Sequence, residues 1–249
     1  MNIDPEKCMA CGQCAPYCPV ECITVGDYAA TIDDEECVEC GICLRNANCP
    51  TEAISQDFLT MPRAARKAFS DPFGKHENTE LKHMGRGTEE VKTNDVTGIV
   101  SRLDTVAVAI ELGRPQIGAR FTEVEKITKV VSRFNIEYEK HNPVTAYILD
   151  KKTGTVDPQI LNEKVLSCIV EFRCSIHDLE EILAALKNVE KDVRTVFTVA
   201  IIARVGLDNK TLVEELLARN GYPIYRASSK TNIGLGRPRY EERTRGDLA

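Results

Sequence analysis

The sequence lacks a long apolar run, an excess of basic residues and a leader-like beginning. No apolar stretch approaches the ~18 residues that a membrane-spanning helix needs. The opening residues, MNIDPEKC, contain neither the basic nor the apolar segment of a secretory signal. The net charge of −6 argues against nucleic acid as the default partner. These absences predict a cytoplasmic protein with no membrane span and no nucleic-acid partner.

The length and composition fit a folded protein of one or two domains. The chain has 249 residues, of which 43% are hydrophobic and 28% are charged. A domain holds roughly 150 residues on average, and this balance is typical of globular rather than disordered chains. The sequence shows no Ser-His-Asp set, no paired catalytic carboxylates and no catalytic thiol, which disfavours an active site of the chain's own.

Cysteine, by contrast, is abundant and unevenly distributed. Nine of the 11 cysteines fall in the first 49 residues, spaced C-x2-C-x2-C-x3-C-P and then C-x2-C-x2-C-x5-C-P. A disulfide framework would suit a small secreted chain, and zinc sites usually take cysteines as separated pairs. Three closely spaced cysteines with a remote fourth before proline form the bacterial ferredoxin run, which wraps a [4Fe–4S] cluster. Histidine is absent from the first 60 residues, which excludes Rieske-type ligation there.

Residues 1–58 therefore resemble the dicluster bacterial-type ferredoxins, which hold two [4Fe–4S] clusters. In that family the fourth cysteine of each run binds the cluster of the other run. The resemblance implies one cluster on Cys8, Cys11, Cys14 and Cys49, and a second cluster on Cys37, Cys40, Cys43 and Cys18.

The two runs are an internal repeat with one irregularity. CMACGQCAPYCPVECITV aligns with CVECGICLRNANCPTEAIS, and the second run has two extra residues within LRNAN, between Cys43 and Cys49. We expect this insertion to bulge a surface loop. Cys22 aligns with Ala53, so we expect a small packed residue beside a cluster, with a ligand role as the alternative.

The repeat also carries most of the negative charge. Residues 1–60 hold 11 acidic and 2 basic residues, a balance of −9, and the rest of the chain therefore carries −6 − (−9) = +3. An acidic face can steer a protein towards a basic patch on a redox partner. Solubility alone is the competing explanation.

Residues 59–100 are typical of an extended connector, because prolines and glycines interrupt them and their periodicity is poor. PRAARKAF at 62–69 is the exception, a short predicted helix with Pro62 at its start. His76 and His83 are interpreted as surface residues, with a ligand or proton-transfer role as the alternative.

The pattern from residue 101 onwards is that of an α+β domain. The predicted elements are a strand at 105–112, a helix from a Thr122-x-x-Glu125 capping box, strand material at 136–149 broken at Pro143, a strand at 164–173, a helix at 176–189 with Ser175 as N-cap, a strand at 195–205 covered on both faces, a helix at 209–219 ended by Gly221, and a short strand at 222–227. The first six follow the order βαββαβ, the split βαβ or ferredoxin-like plait.

The predicted fold class is thus α+β, with three parts. A 2[4Fe–4S] ferredoxin domain spans 1–58, the connector spans 59–100, and the plait with an extra helix, an extra strand and a basic tail spans 101–249. Docking or dimerisation is the favoured role of the plait, and an ACT-like small-molecule site is the alternative. RNA binding is disfavoured, because the strands are mostly aliphatic.

Two further groups in this domain have competing interpretations. Cys168 and Cys174 lie six apart on one predicted strand, so they share a face; core thiols are favoured over a redox or ligand pair. The tail TNIGLGRPRYEERTRG is interpreted as a solvated or partner-binding arm, with a phosphate site at Gly234, Gly236 and the arginines as the alternative.

The favoured function is an iron–sulfur electron-transfer protein or subunit that relays single electrons to or from a larger oxidoreductase in an anaerobic or facultatively anaerobic cell. One alternative is a reductase with a flavin or substrate site in the second domain. The arrangement is weakly similar to the iron–sulfur part of 6-hydroxynicotinate reductase-like proteins, although no motif indicates flavin. The other alternative is a redox-responsive metabolite sensor with an ACT-like domain.

Overall fold

The computed structural model describes residues 1–74, 103–114, 117–204 and 211–222. The cysteine-rich part folds from short elements: β1 (Asn2–Ile3), a 3-10 helix (Ala15–Tyr17), β2 (Ile23–Val25), β3 (Ala30–Ile32), α1 (Ile42–Asn46), β4 (Ile54–Ser55) and α2 (Ala64–Ser70). Strand β1 pairs antiparallel with β4, and β2 pairs antiparallel with β3. The β1–β4 pair brings the start of the first cysteine run beside the end of the second.

The following part contains longer elements. They are β5 (Thr105–Leu112), β6 (Ala119–Arg120), α3 (Phe121–Val131), β7 (Ile136–Tyr138), a 3-10 helix (Val144–Tyr147), β8 (Ile148–Asp150), β9 (Thr155–Val156), a 3-10 helix (Pro158–Ile160), β10 (Lys164–Val165), β11 (Cys168–Ser175), α4 (Ile176–Val189), β12 (Phe197–Ile202) and α5 (Leu212–Arg219). Mixed helix and sheet content makes the chain an α+β protein.

A four-stranded antiparallel sheet organises this second part, in the order β12-β5-β11-β7. Alternate residues of β5 form its core face, and Val106, Val108, Ile110 and Leu112 are all fully buried. Helices α3 and α4 supply Ile127 and Leu179 among other fully buried residues of the same hydrophobic core. Burial of such side chains contributes about 1.5–3 kcal/mol each.

Several predicted elements are confirmed. The strand at 105–112 and the helix at 176–189 have the predicted bounds. The Ser175 side chain accepts a hydrogen bond from the His177 amide, as expected of an N-cap. Helix α5 ends before Gly221, whose φ of +68° is the left-handed conformation that glycine tolerates. The short helix predicted in PRAARKAF is α2.

Two local predictions are wrong, and a third, the strand material broken at Pro143, is confirmed with a pairing that the sequence did not indicate. Helix α3 begins at Phe121 with no side-chain cap, and Glu125 accepts a hydrogen bond from the Val156 amide instead of closing a capping box. The 136–149 segment contributes only β7 to the main sheet, because β8 turns back to pair with β9. The predicted strand at 164–173 is divided between β10, which pairs with β6, and β11.

Strand β12 is also not covered on both faces. It is an edge strand of the sheet, and its residues alternate between half-buried and exposed over most of its length. The run of β-branched residues predicted burial of both faces. Because β12 lies at the edge of the sheet, fewer residues cover its side chains than those of a central strand. All but the first residue of the predicted strand at 222–227 lies outside the described residues, as do the basic tail, His76 and His83.

The cysteine-rich part packs against the α+β part through α2 and a charged contact. Phe69 of α2 is buried, with its ring 5.3 Å from that of Phe121. The Glu36 carboxylate pairs with both Arg120, at 2.6 Å, and Lys164. These contacts hold the second cysteine run against the larger core. No helix among the described residues is long and apolar enough to cross a membrane.

Candidate metal centre

The first three cysteines share a cavity with the last cysteine of the second run. Cys8, Cys11, Cys14 and Cys49 all line an open cavity of about 350 Å³, which includes part of its mouth. Burial raises the pKa of the Cys14 thiol, and the nearby Cys8, Cys11 and Cys49 raise it further by like-charge repulsion. The structure therefore brings this predicted set of four together.

The second set is brought together in the same crossed manner. Burial raises the pKa of Cys43 to about 11, with additional repulsion from Cys40, Cys37 and Cys18. The pKa of Cys40 is raised by burial first, and then by Cys18 and Cys37. Cys18 thus groups with the second run, not with its own.

The backbone repeats along with the cysteines. Corresponding residues of the two runs adopt matching left-handed backbone conformations, which residues other than glycine seldom adopt. The pairs are Ala10 and Glu39 (φ +54° and +58°), Gly12 and Gly41 (+74° and +67°), and Glu21 and Glu52 (+54° and +52°). The two loops therefore share one shape despite the insertion.

Backbone amides point at the cysteine sulfurs in a related pattern. The Cys22 amide donates to Cys18 Sγ at 3.3 Å, and the Ala53 amide donates to Cys49 Sγ at 3.3 Å. The two donors occupy the same position of the repeat. Amide donors to sulfur stabilise thiolate charge, and hydrogen bonds of this kind help set iron–sulfur potentials.

A single-ion site and a cubane site make different demands on these thiols. Among the described residues, no group of three or more His, Cys, Asp or Glu side chains is placed to hold one metal ion. A [4Fe–4S] cluster is wider, because each of its four cysteines binds a different iron. Two enclosing loops, four thiols at each and amides aimed at sulfur fit the larger group.

Comparison with known proteins agrees with this geometry. Residues 1–24 match the family model described as the 4Fe-4S binding domain. The chain begins with an iron–sulfur ferredoxin-type domain. This match shows binding of a [4Fe–4S] cluster and supports a role in electron transfer. No curated protein and no solved structure matches the chain in these comparisons.

The insertion in the ferredoxin-type domain does not bulge a surface loop. Where the first run has the 3-10 helix Ala15–Tyr17, the second has the longer helix α1. The two extra residues lengthen this helix from three residues to five, so the loop that carries the cysteines keeps its shape. The insertion also supplies Arg45.

Arg45 ties the second cysteine loop to the segment after α2. Its Nη2 donates to the Cys40 carbonyl oxygen at 2.6 Å and lies 3.1 Å from the Asp71 carboxylate. Its Cζ lies 5.2 Å from the centre of the Phe73 ring. Gly41 has a φ of +67°, which favours glycine, and a Cβ there would lie 2.5 Å from Arg45 Nη1 and displace the guanidinium.

Cys22 is buried between two cysteines of the second set. Its Sγ lies 3.4 Å from Cys18 Sγ. Hydrogen bonds to Cys18 and Cys37, together with burial, raise the pKa of Cys22. The same hydrogen bonds lower the pKa of Cys18 to about 6 and that of Cys37 to about 7. Cys22 therefore lies in hydrogen-bonding contact with two cysteines of the predicted second set.

Sequence reasoning missed a group of basic side chains around the second loop. Arg66 is buried and donates to the carbonyl oxygens of Cys37 and Asp34, both at 2.8 Å, while its Nε pairs with the Glu163 carboxylate. Arg63 pairs with the buried carboxylate of Glu39. The three-residue spacing of these arginines on a predicted helix was the available signal, because it puts both on one face.

Glu39 is completely buried, yet its pKa lies below the usual value. Burial opposes its charge, but hydrogen bonds from the Met1 ammonium, Gln56 and Arg63 lower its pKa. The ammonium lies 2.7 Å from Glu39 Oε1. This buried network fixes the loop between Cys37 and Cys40.

The remaining predicted candidates lie elsewhere. Cys168 and Cys174 are buried in the core of the α+β part, where burial raises the pKa of each thiol to about 12. They are core thiols. Gly234, Gly236 and the tail arginines lie outside the described residues.

Proposed function

We propose that this chain relays single electrons through two [4Fe–4S] clusters to or from a larger oxidoreductase. The observation that carries the proposal is the crossing of the two cysteine runs. Cys49 lies with Cys8, Cys11 and Cys14, whereas Cys18 groups with Cys37, Cys40 and Cys43. A single cluster would leave four of these thiols without a role, and the repeated backbone conformations support two equivalent loops.

The proposed ligand sets are the two crossed fours. Cys8, Cys11, Cys14 and Cys49 hold the first cluster, and Cys37, Cys40, Cys43 and Cys18 hold the second. Each cluster, when bound, accepts and releases one electron at a potential set by hydrogen bonds, charge and exposure. The chain's own residues enclose the clusters, direct amides at the sulfurs and place cations behind the second loop.

The α+β part is proposed to be a split βαβ plait that serves docking or dimerisation. Its sheet strands follow the order strand, helix, strand, strand, helix, strand along the chain, with β5 and β11 in the middle of the sheet. This order supports the plait assignment. The proposed setting is the cytoplasm, where thiols stay reduced.

Anaerobic purification followed by iron and sulfide analysis tests the cluster count. We expect about eight iron atoms per chain and, after reduction with dithionite, an electron paramagnetic resonance spectrum of two interacting one-electron centres. About four iron atoms in a fully folded chain would contradict the two-cluster proposal.

Affinity capture from the native cell under anaerobic conditions tests the relay. Co-purification of a flavin- or metal-containing oxidoreductase, with electron transfer between it and this chain, is the expected result. Recovery of the chain alone with stoichiometric bound flavin would instead support a reductase with its own site.

A further inference from the structure

The two cysteine sets differ in their access to solvent. In the first set Cys11 is exposed, Cys8 and Cys49 are half-buried and Cys14 is buried. In the second set Cys18 alone is half-buried. Cys37, Cys40 and Cys43 are all buried, at 6–7% exposure. A partner centre can approach the first set closely, whereas the three consecutive cysteines of the second set lie below the surface.

Protein contacts also close the side of the second set that faces the α+β part. Arg66 is buried between the Cys37 carbonyl and Glu163, and Glu36 pairs with Lys164 of β10. Arg45 bridges the Cys40 carbonyl to Asp71. A redox partner that approached from this side would have to break buried ion pairs, which costs several kcal/mol.

The surface around the first set is open and partly apolar. Met9, next to Cys8, is 62% exposed. Tyr28 is 89% exposed in the turn between β2 and β3, two residues before Ala30. Ala30 lines the same cavity as Met9 and Cys11, and its amide donates to Cys8 Sγ at 3.3 Å. Exposed aromatic and methionine side chains are enriched at protein interfaces.

Carboxylates flank these apolar residues. Glu6 precedes Cys8 by two residues, Asp27 precedes Tyr28, and Glu52 follows Cys49 by three; all three are exposed. Lys7 is the one basic residue beside them in the sequence, and the first 60 residues carry a balance of −9. An acidic rim of this kind accelerates association with a positively charged protein.

We infer that the surface formed by Met9, Cys11, Asp27 and Tyr28 is the electron port of the chain, and that it docks a redox protein through a basic face. The second cluster is then the internal member of the relay. The inference rests on the proposed two-cluster function and adds to it the site and charge of the partner.

Cytochrome c, a basic one-electron acceptor, is a suitable probe. Dithionite reduces the intact protein, excess dithionite is removed, and each transferred electron then converts one ferric haem to ferrous haem with no bond made or broken. The bimolecular rate constant is measured for the wild type, the double variant Glu6→Lys/Asp27→Lys and a control, Glu181→Lys. Glu181 is exposed on α4 of the other part.

We expect the double variant to react about tenfold more slowly than the wild type at about 0.05 M salt, and the difference to shrink at about 0.5 M salt. The control should stay within about twofold of the wild type, because its charge lies away from the port. Cytochrome c with succinylated lysines should react slowly with all three proteins. Equal rates for the double variant and the wild type, or equal slowing by the control, would overturn the port.

Iron analysis and the resonance spectrum of the same wild-type sample separate this inference from the proposed function. A sample that lacks a second cluster contradicts the proposed function before any kinetics are measured. If the sample holds both clusters but the double variant reacts with cytochrome c as fast as the wild type, only the inferred electron port is contradicted.

Discussion

The sulfur atoms of Cys22 and Cys18 lie 3.4 Å apart. Cys18 belongs to the proposed second ligand set, and Cys22 is hydrogen-bonded to both Cys18 and Cys37. We expect Cys22 to act on these ligands through hydrogen bonds without binding iron itself. In the repeat its place is taken by Ala53, whose amide makes the same contact to Cys49 that the Cys22 amide makes to Cys18.

Replacing Cys22 with alanine should leave both clusters in place. Ala53 shows that the fold accepts alanine at this position of the repeat, and the stability loss should be about 1 kcal/mol for a small buried group. Iron content should stay at about eight atoms per chain. Loss of about four iron atoms from a folded Cys22→Ala protein would make Cys22 a ligand.

The crossed ligation is best tested at Cys49. Cys49→Ser should destroy the cluster of Cys8, Cys11 and Cys14, because serine is a poor ligand for iron in these clusters, and no thiol stands at position 53 to replace it. Anaerobic alkylation of the native protein, read by mass spectrometry, should then label Cys8, Cys11 and Cys14 but not Cys37, Cys40 and Cys43.

The mirror experiment uses Cys18→Ser in the Cys22→Ala background, since a thiol 3.4 Å away could otherwise substitute for the lost ligand. Here the labelled residues should be Cys37, Cys40 and Cys43. The opposite pattern would show that the runs bind their clusters without crossing. In that pattern Cys49→Ser exposes Cys37, Cys40 and Cys43, and the Cys18 variant exposes Cys8, Cys11 and Cys14.

The first three cysteines of each set could be predicted from their spacing, which places them in one short loop. The crossed fourth members, Cys49 and Cys18, were predicted only through the resemblance to dicluster ferredoxins. The longer strands and helices of the α+β part were predictable for a related reason, since periodicity within one segment reports which face is buried. Val106, Val108, Ile110 and Leu112 alternate in the sequence and are all fully buried on one face of β5.

Contacts between distant segments could not be predicted in this way. Glu125 looked like half of a capping box, yet it accepts a hydrogen bond from Val156, 31 residues away. β12 looked buried on both faces, yet its exposure depends on its place at the sheet edge. Arg66 contacts both Cys37 and Glu163, two residues distant in sequence, and no local pattern indicates that they share this partner.

The thiols of Cys168 and Cys174 should stay protonated and unreactive in the native protein up to high pH. Burial raises the pKa of each to about 12, above the unfolded value of about 8.5. The folded state thus holds these protons more tightly than the unfolded state. Their contribution to stability is complete below about pH 8.5 and is lost as the pH rises towards 12.

Native alkylation at pH 9, followed by mass spectrometry, checks this prediction. Cys168 and Cys174 should remain unmodified until denaturant is added. The free Cys in a short peptide copied from residues 164–173 is a suitable reactive control. Rapid native labelling of either residue would contradict its burial in the core.

Removing one partner of the Arg66–Glu163 pair should be strongly destabilising. Their side chains are 5% and 11% exposed, so Arg66→Met leaves the nearly buried Glu163 carboxylate unpaired. It also removes the hydrogen bonds that Arg66 donates to the carbonyl oxygens of Cys37 and Asp34. We expect a loss of about 3–5 kcal/mol in the free energy of unfolding, measured by anaerobic urea titration. The double variant Arg66→Met/Glu163→Gln should be more stable than Arg66→Met alone, because no unpaired charge remains. Equal stability of the single and double variants would show that the pairing contributes little.

Arg45→Gln should make the second cluster harder to reduce. The guanidinium donates to the Cys40 carbonyl and places a positive charge beside the cysteine loop, which favours the more negative, reduced state. Its loss should lower that cluster's potential by on the order of 60 mV, a tenfold change for a one-electron couple, and leave the first cluster nearly unchanged. A redox titration followed by electron paramagnetic resonance measures both potentials. Arg219→Gln is the matched control, since Arg219 is exposed on α5 and pairs with Glu180. An equal shift in the control, or no shift in Arg45→Gln, would mean that the inserted residues serve only to pack α1 against the segment around Asp71.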